Sequence, residues 1–357
     1  MFRDKLKNYK NYEVKEENYK IKLDANENLN PMDEGLKKKI LNTLAENVDR
    51  ICFYPENNSD TLREELAKFY GLNKENFIVG NGSDQLIQII MQAVCEKNDA
   101  ILVLNPSFVM YRITAGILDI EVKQVPFNLE WKVDVKDIIN IAQEDDRIKA
   151  VFLDTPNNPT GILLNKEDIS RAAETLKNKI LVVDAAYAEF CPCDYVDLVG
   201  RHENVIVLKT FSKIGFAGIR CGYAVSSKHI IDNLHKVKPP YNVSFYTQMI
   251  AAEVLKNFDL VKPNIQKTVE DREKLKGDFR ALGFNVLDGY GNFLSIVGEG
   301  LDDIQIFLRS KGIAVRYFTL DKGTGLLRIT VGTKEQNEEL LKALKEWRGL
   351  KDEGQDG

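Results

Sequence analysis

The chain is poor in histidine. Its 357 residues include three, His202, His229 and His235. Their spacing matches no zinc site, and two of them sit beside lysine, so a mechanism built on imidazole is disfavoured. Cysteine is also sparse: Cys52, Cys95, Cys191, Cys193 and Cys221 are an odd, scattered set. That excludes the disulfide framework of a small secreted domain. The one close pair, Cys191-Pro192-Cys193, fits neither a zinc knuckle nor a C-x-x-C redox motif, and reads as two ordinary thiols. No apolar run approaches the length of a membrane span. The first residues, Met1-Phe2-Arg3-Asp4-Lys5-Leu6-Lys7, lack the apolar stretch of a signal peptide, so a cytoplasmic, membrane-free protein is expected. Positive charge is not in excess either. Lys plus Arg number 49 against 54 Asp plus Glu, a net charge of −5, which argues against general nucleic-acid binding.

What is present is globular. A hydrophobic content of 44% is too high for a disordered chain, and the length allows two or three domains with real cores. Residues 1–30 are polar, dotted with tyrosine, and read as an N-terminal arm. From about 60 to 240, short apolar runs alternate with helical patterns. Strands are expected over 77–79, 100–104, 121–125, 150–153, 180–183, 205–208 and 223–225, with helices over 62–70, 84–96, 166–176 and 228–236. Several runs are continuously apolar, as strands covered on both faces must be. The pattern implies an α/β fold with a mostly parallel seven-stranded sheet. After Pro239-Pro240 it changes to long helices over 244–257 and 259–282. Shorter strands at 293–297, 314–316 and 327–331 follow, with helices at 302–310 and 334–348. This predicts a large domain over 31–250, a smaller α+β domain over 251–350 and a frayed tail over 351–357.

Four strand ends carry chemistry. Gly80-Asn81-Gly82-Ser83-Asp84 follows a strand and opens a helix. Helix-end amides favour an anion and glycine lets the backbone approach it, although the same residues also suit a tight turn with Ser83 as N-cap. Gln85 stands where a dinucleotide fingerprint needs its third glycine, and no Gly-Lys-Ser/Thr follows. Thr155-Pro156-Asn157-Asn158-Pro159-Thr160-Gly161 makes a rigid turn where open α/β sheets bind ligands. The run 180–183 ends in Asp184, with Tyr187 close behind; the acid either pairs with a loop or aims at a ligand. The run 205–208 leads into Lys209-Thr210-Phe211-Ser212-Lys213 and on to Arg220. A lysine there is a phosphate ligand, a surface charge or a nucleophile. Together these groups match the needs of pyridoxal 5′-phosphate (PLP): a lysine for the aldehyde, an acid for the pyridine nitrogen, donors for the phenolic oxygen, and amides, hydroxyls and an arginine for the phosphate.

On these motifs the chain resembles the fold-type-I PLP-dependent aminotransferases, and within them the histidinol-phosphate aminotransferases. Leu23-Asp24-Ala25-Asn26-Glu27-Asn28 is similar to an N-terminal L-x-A-N-E-N signature, and Phe53-Tyr54-Pro55-Glu56 to R-Y-P-D. Asn157-Asn158-Pro159-Thr160-Gly161 is similar to N-N-P-T-G. Ser212-Lys213 with Ala217-Gly218-Ile219-Arg220 resembles S-K…A-G-L-R, and Leu327-Arg328-Ile329-Thr330-Val331-Gly332-Thr333 resembles L-R-I-T-V-G-T. Phe53 stands where Arg is common, and Phe108 where many relatives carry Tyr.

The resemblance implies roles for individual residues. Lys213 bonds the cofactor aldehyde, Asp184 pairs with the pyridine nitrogen, and Asn158 and Tyr187 bond the phenolic oxygen. Gly82, Ser83 and Asp84, with Thr210, Ser212 and Arg220, hold the phosphate, and Phe108 stacks on the ring. Tyr54 reaches the cofactor of a partner subunit, which implies a homodimer with shared sites. Arg328 binds the substrate carboxylate and Arg316 its phosphate, with Asn26 and Tyr12 also at the substrate; Lys209 is a bystander. The implied reaction moves the amino group of L-histidinol phosphate to 2-oxoglutarate, giving glutamate, in histidine biosynthesis, with lysine as the proton carrier. An aromatic aminotransferase and a threonine-phosphate decarboxylase are the alternatives. A PLP-sensing regulator would need a DNA-binding module that about 30 leading residues cannot hold.

Overall fold

The computed structural model describes residues 2–3, 6–7, 19–320 and 324–353. In chain order it contains β1 (Ile21–Lys22), α1 (Glu34–Glu46), α2 (Asp60–Tyr70), β2 (Phe77–Asn81), α3 (Gly82–Val94), β3 (Ala100–Asn105), α4 (Val109–Ile117) and β4 (Glu121–Pro126). Next come α5 (Val135–Glu144), β5 (Ile148–Asp154), α6 (Lys166–Thr175), β6 (Ile180–Asp184), β7 (Val205–Thr210), β8 (Cys221–Val225) and α7 (Lys228–Val237). The rest are α8 (Phe245–Lys256), α9 (Lys262–Ala281), β9 (Phe293–Gly298), α10 (Leu301–Ser310), β10 (Ile313–Ala314), β11 (Arg316–Thr319), β12 (Gly325–Thr330) and α11 (Lys334–Glu353).

Seven strands form one sheet in the order β2-β8-β7-β6-β5-β3-β4. All its pairings are parallel except those of β8, which runs antiparallel to both neighbours. Its seven strands are those expected from the apolar runs. Alternation along them splits the core in two. Val151, Leu153, Leu181, Val183, Val205 and Val207 enter the apolar layer on one face. Ala150, Phe152, Val182, Ile206 and Leu208 enter the layer on the other. Both faces are buried, so parity alone decides which face each strand-end residue joins.

A three-stranded antiparallel sheet, β11-β12-β9, packs with α10 and α11 around a separate apolar cluster. Ile21 and Leu23 belong to that cluster, and β1 pairs in parallel with β10. Helix α9 joins the two cores: Val261 just before it and Ile265 pack under the large sheet, whereas Leu275 and Phe279 pack with the small one.

Several local expectations are corrected. The single strand over 314–316 is two, because the chain leaves β1 and joins β12 around Val315. Three helices have no counterpart in the sequence reading. Helix α1 buries only Leu36 and Ile40 beside a run of lysines, so its apolar stripe is thin; Asp33 caps it by accepting from the Leu36 amide. Helix α5 carries a readable signal, the Asp134 cap and buried Val135, Ile138 and Ala142, and α4 buries Tyr111, Thr114 and Ala115. Ser83 is not an N-cap: α3 begins at Gly82, so Ser83 lies inside its first turn. Helix α11 runs to Glu353, three residues into the stretch read as tail. Among the described residues no helix is long and apolar enough to cross a membrane.

Candidate active site

The carboxyl ends of β5, β6 and β7 open into a cavity of about 410 Å³, also lined from the β9-β12-β11 side by Arg316 and Arg328. Parity explains which side chains enter it. Asp184 follows Val183 and so shares the face of Val182; Thr210 shares the face of Leu208. Lys209 falls on the opposite face, where its ammonium makes a buried 2.8 Å ion pair with Glu189. It does not line the cavity.

The cavity floor holds an acid in an unusual state. Burial pushes the Asp184 carboxyl up to about 6, against the lowering effect of two hydrogen bonds. The Tyr111 hydroxyl donates to Oδ2 at 2.6 Å and the Ala186 amide to Oδ1 at 3.2 Å. Phe108 lines the cavity and meets Tyr111 edge to face at 5.7 Å. Asn158 and Tyr187 flank the space above Asp184. The buried Asn26 donates from Nδ2 to the Tyr187 hydroxyl at 2.9 Å, which leaves that hydroxyl its own proton to donate elsewhere.

Lys213 lies after β7 in a short turn, with its Nζ 3.4 Å from the Ala25 carbonyl and 5.7 Å from the Tyr187 ring centre. The left-handed Gly215 ends that turn. Ser83, Asp84, Thr210, Ser212 and Arg220 gather at one end of the cavity. Thr210 Oγ1 accepts from the Ser212 amide at 3.1 Å and has two acceptors for its one proton, Ser212 Oγ at 3.0 Å and the Cys221 carbonyl at 3.2 Å. Arg220 holds Asp84 in a 2.8 Å ion pair, and its carbonyl accepts from the Gly82 amide. Gly82 has φ +73°, and a Cβ there would stand 2.6 Å from the Arg220 guanidinium. Backbone and cation therefore touch only because that position is glycine.

At the other end, Arg316 and Arg328 are register partners on β11 and β12. Both guanidiniums lie over Phe318, at 5.9 and 5.5 Å from its ring centre. Arg328 is anchored by 2.6 Å bonds from Nη1 to Asn158 Oδ1 and from Nη2 to the Asp24 carbonyl. Two adjacent cations at a cavity wall attract anions.

Of the expected site residues that are described, Gly82, Asn26 and Tyr54 do not line this cavity, Gly82 reaching it only through Arg220. Asn26 is fully buried behind Tyr187 and also bonds Thr330, so it supports the site from outside. Tyr54 is 80% exposed and stacks on Tyr241 at 4.7 Å, away from the cavity of its own chain. Tyr12 lies outside the described residues. Conversely, Tyr111, Asp154, Met110, Asp24 and Ala25 line the cavity without having been singled out for it. Asp24 and Ala25 sit in the quoted L-x-A-N-E-N stretch, and Asp154 ends an apolar run just as Asp184 does. Tyr111 carries no motif signal.

The site fits PLP on its own donors. The strand-end acid suits a ring nitrogen, Asn158 and Tyr187 a phenolic oxygen, and the Gly82 cradle with its hydroxyls and Arg220 a phosphate. Among the described residues no His, Cys, Asp or Glu cluster could hold a metal ion.

Comparison with known proteins agrees. Residues 18–344 match the family described as aminotransferase class I and II. The histidinol-phosphate aminotransferase of Pyrococcus furiosus is 37% identical over 350 residues, covering 97% of this chain and 98% of that one. That of Caldanaerobacter subterraneus is 39% identical over 349 residues, at 97% and 98% coverage. Among solved structures, histidinol-phosphate aminotransferase from Sinorhizobium meliloti, in complex with pyridoxal-5′-phosphate, superimposes with a TM-score of 0.84 at 21% identity, covering 92% of this chain and 91% of that one. L-threonine-O-3-phosphate decarboxylase from Porphyromonas gingivalis does so with 0.77 at 23%, covering 92% and 99%, so fold alone does not separate the two chemistries. With its family match spanning most of its length and relatives above 30% identity, the chain belongs to the class I and II aminotransferases.

Proposed function

We propose that this chain is a PLP-dependent transaminase moving the amino group of L-histidinol phosphate to 2-oxoglutarate. The observation that carries the reading is the pairing of Arg316 and Arg328 across β11 and β12, facing the cavity that also holds Lys213 and Asp184. Two cations suit an amino donor with a phosphate and an acceptor with two carboxylates. The relatives at 37 and 39% identity are histidinol-phosphate aminotransferases, which supports the same substrate.

When bound, PLP supplies an aldehyde for the amine and a ring that takes up the electron pair of a breaking C–H bond. The chain's residues do the rest. Lys213 would hold the aldehyde carbon and, with its amine freed by the donor, would be placed to move a proton from the substrate Cα. Asp184 would accept the ring N–H, Tyr187 would donate to the phenolic oxygen, and Arg220 with Ser83, Thr210 and Ser212 would hold the phosphate. The test is turnover of histidinol phosphate with 2-oxoglutarate. Good activity only with Phe or Tyr points to an aromatic aminotransferase, and CO2 release from phosphothreonine points to a decarboxylase.

The chain is further read as a cytoplasmic homodimer. Tyr54 with exposed Ile51 and Phe53 forms an apolar patch outside the cavity, suited to a second copy whose site Tyr54 would reach. Five cysteines without a disulfide fit a reducing compartment. Sedimentation of the purified protein tests the dimer, and a monomer mass would refute it.

A further inference from the structure

Four acids line the cavity: Asp24, Asp84, Asp154 and Asp184. Three of them have engaged carboxylates. Asp84 pairs with Arg220 at 2.8 Å. Asp154 accepts from the Ser107 hydroxyl and the Asn158 amide, and Asp184 from the Tyr111 hydroxyl and the Ala186 amide. Asp24 differs. Its Oδ1 is buried with no hydrogen-bond partner, and among the described residues its carboxylate forms no ion pair. An acid held half-buried in a cavity wall without a donor is costly unless a ligand supplies one.

The surroundings of Asp24 say which donor that is. Its main-chain carbonyl accepts from Arg328 Nη2 at 2.6 Å, which puts the residue at the arginine end. The carbonyl of the next residue, Ala25, lies 3.4 Å from Lys213 Nζ. Asp24 thus adjoins both the cation that attracts a substrate anion and the lysine that marks where a reacting amine goes. The segment is clamped there. Leu23 is buried in the small-domain core and its amide bonds the Ala314 carbonyl at 2.8 Å, while the Asn26 amide bonds Thr330 Oγ1 at 3.0 Å. In L-histidinol phosphate the phosphate suits the arginines and the amine suits the cofactor end. The imidazole ring remains, and it carries an N–H in either protonation state.

We infer that Asp24 is a specificity-determining residue whose carboxylate accepts the N–H of the donor's heteroaromatic ring. The role rests on the substrate reading above and adds the group that recognises the ring. No covalent bond changes. A site that hydrogen-bonds a substrate N–H discriminates against an analogue without it, because the carboxylate then stays unpaired. Asp24 thereby favours imidazole over phenyl, a choice that two arginines cannot make.

The test uses the PLP-loaded enzyme and two amino donors, L-histidinol phosphate and L-phenylalaninol phosphate. They share the amine and the phosphate, and only the first has a ring N–H. Wild type should prefer it. Asp24→Ala should lower kcat/KM for histidinol phosphate about tenfold or more, while changing that for phenylalaninol phosphate less than about threefold. Asp24→Asn keeps an acceptor oxygen and should fall between wild type and Ala. Should Asp24→Ala not fold, the Asn variant decides, and an unchanged ratio of the two donors overturns the assignment. Equal losses for both donors overturn it as well, because they mean that the side chain acts through Arg328 on the shared phosphate. Failure of wild type to turn over histidinol phosphate sinks the substrate reading and this role with it. Turnover by wild type with a fixed donor ratio in the variants sinks the role of Asp24 alone.

Discussion

The Tyr111 hydroxyl donates a 2.6 Å hydrogen bond to Asp184 Oδ2, joining α4 to the end of β6. A bond to an ionised carboxylate contributes about 1.5–3 kcal/mol when buried. Tyr111→Phe removes the donor without changing the ring. PLP affinity, read by absorbance titration at pH 7, should fall about tenfold or more. An unchanged affinity would mean that this bond does not hold Asp184 in its working state.

Two lysines four residues apart should respond in opposite ways. Lys213→Ala should abolish both turnover and the absorbance of the lysine-bound cofactor. Lys209→Ala should leave that absorbance in place but lower the melting temperature, because it strands the buried Glu189 carboxyl at a cost of about 3–5 kcal/mol. Loss of the cofactor signal in Lys209→Ala, with Lys213→Ala unaffected, would reverse the assignment.

Gly82→Ala tests the phosphate cradle. The added methyl group meets both a left-handed φ of +73° and the Arg220 guanidinium. The backbone strain alone costs about 1–2 kcal/mol. Weakened binding of PLP, but little change for the phosphate-free pyridoxal, is the expected result. Equal losses for both ligands would place the phosphate elsewhere.

Arg316→Gln tests substrate choice. Arg328 is anchored by Asn158 and Asp24, whereas Arg316 is exposed beside it. The substitution should raise KM for histidinol phosphate about tenfold or more, the scale of one lost charge-assisted contact. Kinetics with phenylalanine as donor should change much less. A uniform loss for both donors would make Arg316 a structural cation.

The sheet and much of the site were legible in the sequence. Burial on both faces makes most strands of the large sheet continuous apolar runs, whereas the edge strand β4, with sequence EVKQVP, buries only Val125. The groups that follow β5, β6 and β7 were visible for the same reason: each stands where an apolar run stops. Tyr111 escaped notice because a tyrosine inside an apolar helix reads as core. Its hydroxyl matters only because α4 packs against β6, 73 positions later in the chain. Asn26 was read as a substrate ligand from its motif, yet it supports Tyr187 across 161 positions.

By itself the sequence determined which residues could do chemistry and on which side of each strand they fall, since a period of two leaves no choice of face once a run is buried. That period puts Thr210 and Lys209 on opposite faces of β7 once the strand is formed. Only the tertiary structure decided which of these groups meet. Arg316 and Arg328 became one site because β11 and β12 pair in antiparallel register, and Asp154 became a neighbour of Asp184 because β5 and β6 lie side by side. Strand order and register follow from packing over the whole sheet, and no local pattern encodes them.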